Sequence, residues 1–517
     1  MTSTASVFPR GRVVLIGAGP GDSGLITLRG RRILGDADVV VYDRATAPLL
    51  HLARPDAERL EVGAPAEGAM AQDAISMLIA DKAREGRLVA RLKLGDPFLF
   101  GSGAKEALFL HEQRIPFEVV PGVPLAFGSA YAGVPITYPG GQDALILLRG
   151  HETATDAPPD VDWKAVAAID GTIASFTNVR QAAAILTTLM RQGRPATQTA
   201  AVIRRGTLPG QETITGTLAE LAETLAADPD APSGLLVVGE VAGLREYLRW
   251  FDQRPLFGTR IVVTRSREQA RDLSEALESL GAQVIEAPVF RLAPPEDPEA
   301  IDRAAASAGQ YDWIVFLSAT AVDRFLGAVT ASRDLRALGG VKIATVGPSS
   351  ADRAHAFGLR PDAVVPEARP EAIVDALIEH GGLAGTRVLI VRPDHGRDQS
   401  RDGVVAELQR RSADVTDLVA YRTMAGSPES AGAQAIYRQL LDGHIDAVTF
   451  TTPMAVERFA DLIGRDQAAD LLNQTTVVTM GPVTAAAASA IGVTSPRIAS
   501  PYTVDGVVAD LLTALTD

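Results

Sequence analysis

The sequence predicts an α/β protein of several domains, and three observations carry that prediction. Short Val/Ile/Leu runs alternate with Ala/Leu/Glu/Arg-rich stretches almost throughout, "RVVLIGAG", "ADVVVYD", "RLVARLK", "FEVVPG", "GLLVVGEV", "RIVVTR" and "RVLIVR" being the clearest. Near-continuous apolar runs of four to six residues suit strands of parallel sheets covered on both faces. Alternation of strand and helix then gives the α/β class. Finally, the second half repeats itself at a fixed spacing.

The organisation follows from interruptions in that pattern. A chain of 517 residues suggests three to five domains, at roughly 100–200 residues each. The main boundary falls near "EYLRWFDQRPLFGTRIVVTR", where Trp250, Phe251, Pro255 and Gly258 break the pattern and a new strand begins at Arg260. A softer boundary lies in the Gly- and Pro-rich residues 119–141. Residues 1–250 thus form one domain, with subdomains of about 11–122 and 135–245, and residues 258–517 form another. Within the latter, "YDWIVFLSATAVDRF" resembles "IDAVTFTTPMAVERF", with Val322 and Val456 134 apart (456 − 322). Gly347 and Gly481 keep the same spacing (481 − 347). One offset shared by two motifs favours duplication over chance similarity. Two similar α/β lobes follow, with the cleft between them as the default binding site.

Composition excludes several function classes. Apolar residues make up 46% and charged residues 22%, ordinary for a globular protein. A net charge of −14 argues against non-specific grip on nucleic acid or an anionic membrane. No cysteine is present, which removes disulfides, thiolate metal sites and cysteine nucleophiles. Seven scattered histidines, without an HxxxH pair, give no metal centre. Apolar runs are broken before about 18 residues, and the first residues lack a signal-peptide core, so a cytoplasmic protein is expected.

The stretch "VVLIGAGPGDSGLITLRGRRILGDADVVVYDR" has the outline of a nucleotide-binding βαβ unit. Gly17, Gly19 and Gly21 follow a strand, and Asp43 ends the next one. A dinucleotide fingerprint needs a third glycine where Asp22 stands, and a carboxylate there repels a pyrophosphate. Pro20 removes a backbone N–H that could bind phosphate. The turn suits a nucleoside without phosphate better than NAD. A plain strand–helix turn with no ligand, and an NAD-dependent oxidoreductase, remain the alternatives.

With "ARLKLGDPFLFGSG", "IPFEVVPGV" and "AYAGVPITY" in the same order, residues 11–245 resemble uroporphyrinogen-III C-methyltransferase, one of the tetrapyrrole methylases. The resemblance implies a two-subdomain α/β fold and S-adenosylmethionine as cofactor. It places Gly17, Gly19 and Pro20 along the cofactor pocket, and Leu94, Gly95, Asp96 and Leu99 at the methionine or ribose end. Thr177 falls on a cofactor position, and Gly206 on the border of the adenosine. Asp43 falls on an acidic position that moves a proton during methyl transfer; capping after its strand is the alternative. The chain departs from the family at several positions. Leu94 replaces glycine, Ala64 lysine, Thr177 methionine, Pro124-Leu125 a Thr–Ser or Thr–Ala pair, and Thr137-Tyr138-Pro139 a Thr-His-Arg. These departures keep a second reading open, a methylase-like domain retained as a dimerisation scaffold.

Residues 258–517 resemble uroporphyrinogen-III synthase through "RIVVTRSREQARDLSEALESLGAQVIEAPVF", "WIVFLSATAVDRF", "LVAYRT", "AVTFTTPMAVERF" and "SPYTVDGVVADLL". The resemblance implies a bilobed α/β fold with a two-stranded linker. Lobe one takes about 258–290 and 424–517, lobe two about 294–418, and "APVFRLAP" and "LVAYRT" supply the linker. It implies no cofactor. Hydroxymethylbilane is closed to uroporphyrinogen III with its last pyrrole inverted, through an azafulvene and a spiro intermediate. The free bilane cyclises unaided to the wrong isomer, so the enzyme's task is geometric. Ser318, Ser349, Thr452 and Thr484, at strand-end turns, are candidates to hold the carboxylate arms. Turn formation or helix capping is their alternative. Arg265, Arg392 and Arg422 could also hold carboxylates, or be solvated. Tyr421 matches a family tyrosine near the departing hydroxyl, and packing is its alternative. The two halves meet at uroporphyrinogen III, which the first would methylate to precorrin-2. Pairing of two chains through the N-terminal half is expected from the first resemblance.

Overall fold

The computed structural model describes residues 11–54, 56–63, 70–139, 143–150, 156–264, 267–287, 289–366, 369–394 and 402–516. Ala64 and Arg265 lie outside the described residues. The chain divides into two compact units, one of residues up to Thr259 with Ala276–Gln283, the other of Arg260–Glu275 and Val284–Leu515.

The first unit holds two sheets. Strands β1 (Arg12–Gly17), β2 (Val39–Asp43), β3 (Glu58–Gly63), β4 (Leu88–Lys93) and β5 (Phe117–Val120) lie in the order β3-β2-β4-β1-β5. Their ladders are parallel. Val13 to Ile16 of β1 are fully buried, because side chains on both faces meet apolar layers. The loops leaving β1 and β4 therefore emerge side by side at the carboxyl edge, where ligands of open α/β sheets bind.

The second sheet runs β6 (Leu145–Leu148), β7 (Thr172–Thr177), β10 (Gly234–Val238), β8 (Thr199–Arg204), β9 (Glu212–Thr217). Only β6 and β7 pair in parallel, and the remaining ladders are antiparallel. The expectation of parallel strands fails here for "GLLVVGEV". Its strand β10 is buried along its whole length. Continuous burial reports two covered faces and is silent on strand direction.

The second unit also holds two sheets. One is β12 (Gln283–Glu286), β11 (Arg260–Val263), β19 (Ala447–Phe450), β20 (Thr476–Thr479), β21 (Arg497–Ile498). The other is β13 (Phe290–Ala293), β18 (Asp414–Ala425), β17 (Arg387–Asp394), β14 (Trp313–Phe316), β15 (Lys342–Val346), β16 (Ala363–Val365). With β13 set aside, the two orders superpose as a circular permutation: β11 matches β17, and β19-β20-β21 match β14-β15-β16. The 134-residue spacing holds in the packing. Phe316 meets Phe325 at 5.9 Å between ring centroids, and Phe450 meets Phe459 at 5.5 Å. β13 joins the second of these sheets by pairing antiparallel with the end of β18, Ala293 opposite Arg422.

Candidate active sites

The glycine turn is built for close backbone packing. Gly19 has φ +78° and Gly95 φ +67°, a region that L side chains avoid. Their main chains bridge, with Gly95 N donating to Gly19 O at 2.8 Å. A Cβ on Gly17 would lie 2.4 Å from Gly122 N, so that approach requires glycine. On the other side, Pro20 lies against Gly128, while Thr207, Gly206 and Leu208 crowd Gly21. Thr207 Oγ1 accepts from Asp22 N at 3.0 Å. Tyr131 Oη donates to Asp22 Oδ2 at 2.7 Å. The structure therefore brings Gly17, Gly19, Pro20, Gly95 and Gly206 together as one packed junction, with Asp22 at its head.

Beside this junction lies a cavity of about 410 Å³, within the usual range for small-molecule sites. Leu94, Gly95, Asp96 and Leu99 line one wall, and Leu125 and Ala126 a second. Arg149, Gly150, Ser175 and Phe176 close it from the second sheet. Of the residues expected at the cofactor, Leu94, Gly95, Asp96 and Leu99 line the cavity, whereas Gly17, Gly19, Pro20, Thr177 and Gly206 do not. Thr177 turns its hydroxyl to Gln181 at the start of the helix Val179–Arg191. Asp96 is occupied in shaping its own loop, accepting from Phe98 N at 2.8 Å and Gly122 N at 3.1 Å. Ser175 is different. It is 2% exposed, it lines the cavity, and its Oγ has no hydrogen-bond partner. A buried polar atom without a partner carries a desolvation cost.

Asp43 ends β2 without capping the following turn through its side chain. Its Oδ1 instead accepts from Arg91 Nη2 at 2.8 Å. Arg91, 1% exposed, also reaches Glu106, whose Oε1 accepts from Lys93 Nζ at 3.1 Å. Lys93 donates to Ser102 Oγ at 2.8 Å, next to Gly101 of the cavity wall. Burial pushes the Lys93 pKa below the usual lysine range, with Arg91 adding to the shift and Glu106 opposing it. Burial alone would raise Glu106, but Arg91 and Lys93 outweigh it and hold the carboxyl below its ordinary value. The sequence reading missed Arg91, Lys93, Glu106 and Ser175. The first two carry a signal, since cations at i and i+2 of an apolar strand share one buried face and demand a buried carboxylate.

In the second unit, Ser318 and Tyr421 come together, Oγ to Oη at 3.1 Å. Ser318 also accepts from Ala321 N and caps the helix Ala319–Ser332. Tyr421 is 4% exposed and packs in the core of that sheet. Thr452 sits 134 residues beyond Ser318 (452 − 318) and caps the helix Pro453–Ile463 in the same way. Ser349 is exposed and Thr484 buried, and these two are not equivalent. The repeat maps Thr484 onto buried Ser350 (484 − 350). Arg392 pairs with Asp417 at 2.6 Å, and Arg422 donates to Pro294 O at 3.0 Å. Among the described residues, no group of three or more His, Cys, Asp or Glu is placed to hold a metal ion. No helix among them is long and apolar enough to cross a membrane.

Comparison with known proteins assigns both units to families. Residues 12–222 match the family of tetrapyrrole (corrin/porphyrin) methylases, and residues 271–509 match uroporphyrinogen-III synthase HemD. The porphyrin biosynthesis protein HemD of Ruminiclostridium josui is 31% identical over 453 residues, 87% of this chain and 88% of that protein. Siroheme synthase of Neisseria meningitidis serogroup A is 46% identical over 246 residues, 47% of this chain and 50% of that one. The chain thus spans about half the length of that siroheme synthase. Among solved structures, uroporphyrin-III C-methyl transferase from Thermus thermophilus, complexed with S-adenyl homocysteine, is 34% identical. It covers 45% of this chain and 100% of its own, with a TM-score of 0.39. A uroporphyrinogen III synthase from the same organism is 22% identical, covers 50% and 98%, and has a TM-score of 0.37.

Proposed function

Because this chain belongs to the family of the porphyrin biosynthesis protein HemD, with a tetrapyrrole methylase domain ahead of a uroporphyrinogen-III synthase domain, we propose that it performs two successive steps. The second unit closes hydroxymethylbilane to uroporphyrinogen III with inversion of the D ring. The first unit then methylates that product from S-adenosylmethionine to precorrin-2. The observation that carries this reading is the alignment of one relative over 87% of the chain, through both domains in order.

The residues of the first cavity fit such a cofactor. Ser175 and Asp96 are among the cavity's lining residues, and Arg149 offers an exposed cation for an amino-acid carboxylate. Leu99, Phe176 and Leu125 supply apolar faces for a nucleoside. When bound, the cofactor supplies an electrophilic methyl group. The chain's part is to hold donor and ring carbon in line and to accept the displaced proton. Asp43, partly exposed and oriented by Arg91, is the carboxylate for that proton.

In the second unit, Tyr421 Oη is steered by Ser318 and donates to the departing hydroxyl of the bilane. Ser349, Thr452 and Thr484 with backbone N–H groups receive the carboxylate arms. Pairing of two copies through the first unit belongs to the same proposal, and light scattering reads it.

One observation favours the scaffold reading of the first unit: Gly128, Tyr131 and Thr207 cover the turn of residues 17–22. One experiment separates the possibilities. The full chain is given hydroxymethylbilane with and without S-adenosylmethionine, and isomer type and methyl count are read from one chromatogram. Type III product with two added methyl groups is expected. Type I product alone removes the synthase assignment, and unmethylated type III product leaves the first unit as a scaffold.

A further inference from the structure

The segment between the last strand of the first unit and Arg260 reads in sequence as a domain boundary, but its contacts are those of a structural strap. Trp250 Nε1 donates to Ala130 O at 2.9 Å. Arg245 Nη1 donates to Ala132 O, and Arg245 is itself held by Asp252. A Cβ on Gly133 would lie 2.5 Å from Arg249 N, so the two main chains touch. Tyr131 stacks at 5.0 Å on Trp250 and 4.8 Å on Phe251, and the Arg254 guanidinium lies over both of those rings at 4.8 and 4.9 Å. Phe251 is 3% exposed and meets Phe257 at 5.5 Å.

These contacts fall on residues 130–133, at the end of the stretch that begins with cavity-wall residues Leu125 and Ala126 and carries Gly128 beneath Pro20. Tyr131 is the connection. Its ring belongs to the strap's aromatic cluster, while its hydroxyl donates to Asp22 at the head of the glycine turn. Burial, with Asp22 alongside, raises the phenol's pKa, so Tyr131 stays a donor at every physiological pH. Asp22 Oδ1 in turn fixes Gly24 N at 2.7 Å.

We propose that Tyr131 is a positioning residue for the cofactor, and that residues 245–257 act through it as a strap setting the glycine turn and the Leu125–Ala126 wall. The inference rests on the cofactor reading above. It also makes the strap part of the methylase site rather than a spacer, so ending the first domain at residue 250 would cut through that site.

The test uses the full chain. Tyr131→Phe keeps the rings and removes the bond to Asp22. S-adenosylhomocysteine affinity is expected to fall about tenfold, as for loss of one hydrogen bond to a charged group. The loss should appear in KM for S-adenosylmethionine, with kcat at saturation changing less than about threefold. Trp250→Ala should reproduce it and Trp250→Phe should rescue it, since only the aromatic contact is restored. Hydrogen-exchange protection of residues 12–16 and 88–93 in the same samples reports that the first unit is folded. Affinity of Tyr131→Phe within twofold of a wild type that binds overturns the proposal. If wild type binds no S-adenosylhomocysteine, the cofactor reading fails, and hydrogen exchange then decides the strap. Trp250→Ala should exchange faster over residues 17–22 and 124–133 than wild type, and equal protection overturns it.

Discussion

The first parallel sheet and the two duplicated sheets solve one problem with different side chains. All three bury strands on both faces. In the first, strand β4 carries Arg91 and Lys93 into the interior, and Glu106 and Asp43 must neutralise them within the same layer. In the second unit, the corresponding central strands are "WIVF" and "AVTF", closed by the pairs Phe316–Phe325 and Phe450–Phe459. Apolar packing could be copied at a fixed spacing, because it needs only shape. The charged layer is tied to its particular partners, and it lies beside the cavity wall through Ser102 and Gly101.

The sharpest way to break this contrast is Glu106→Ala. It leaves buried Lys93 without its carboxylate and Arg91 with Asp43 alone, and should cost about 3–5 kcal/mol of the first unit's stability, read by urea titration. Phe325→Ala and Phe459→Ala should each cost about 3–5 kcal/mol in the second unit. If the two lobes are packed equivalently, the two losses agree within about 1 kcal/mol. A large inequality would show that the repeat is a likeness of sequence more than of packing.

Acid should separate the two units further. Glu106 has a folded pKa below its unfolded value of about 4.3. Its contribution is complete above that unfolded value and is lost as pH falls through the folded one. The stability gap between wild type and Glu106→Gln should therefore be constant near neutrality and narrow below about pH 4. A gap that stays constant into acid would show that Glu106 is not held as a carboxylate by Arg91 and Lys93.

Smaller effects sharpen the comparison between the lobes. Ser318→Ala and Thr452→Ala each remove a helix cap, at about 1 kcal/mol. Ser318→Ala should cost more, because it also strips Tyr421 of a partner, and combining it with Tyr421→Phe should give less than the sum of the single losses. The smallest contrast lies at Thr345 and Thr479, 134 apart (479 − 345). Thr479 Oγ1 donates to Arg497 O at 2.8 Å, whereas buried Thr345 Oγ1 has no partner. Thr479→Val should cost about 1 kcal/mol and Thr345→Val should be neutral or stabilising, both read from Tm.

Strand positions were legible because a buried strand must be apolar, and "RVVLIG", "RVLIVR" and "WIVF" are. Strand direction in the second sheet was not, since Leu235 to Val238 would be equally apolar either way round. The need for glycine at Gly19 and Gly95 could be read from the motif, but not its use. The same residues suit a ligand or a tight backbone junction, and only the third dimension shows Gly122 and Gly128 closing in. Ser175 and Tyr131 gave no signal, because a lone hydroxyl in a strand or beside an alanine looks like any other. The fixed spacing of the repeat pairs Thr484 with buried Ser350, the neighbour of exposed Ser349.

The permuted order of the duplicated sheets bears on how the chain is made. One lobe is written continuously, from Phe290 to Ala425, and all its strands leave the ribosome together. The other begins at Arg260, whose strand pairs locally with β12 on one side but finds its second neighbour only at Ala447, with Arg260 N bonding Asp446 across 186 residues. Its first two strands and the helix between them must wait, half-built, while the intervening lobe is synthesised. A nascent chain stalled between the two lobes would therefore expose Ile261, Val262 and Val263 to chaperones and to other nascent chains.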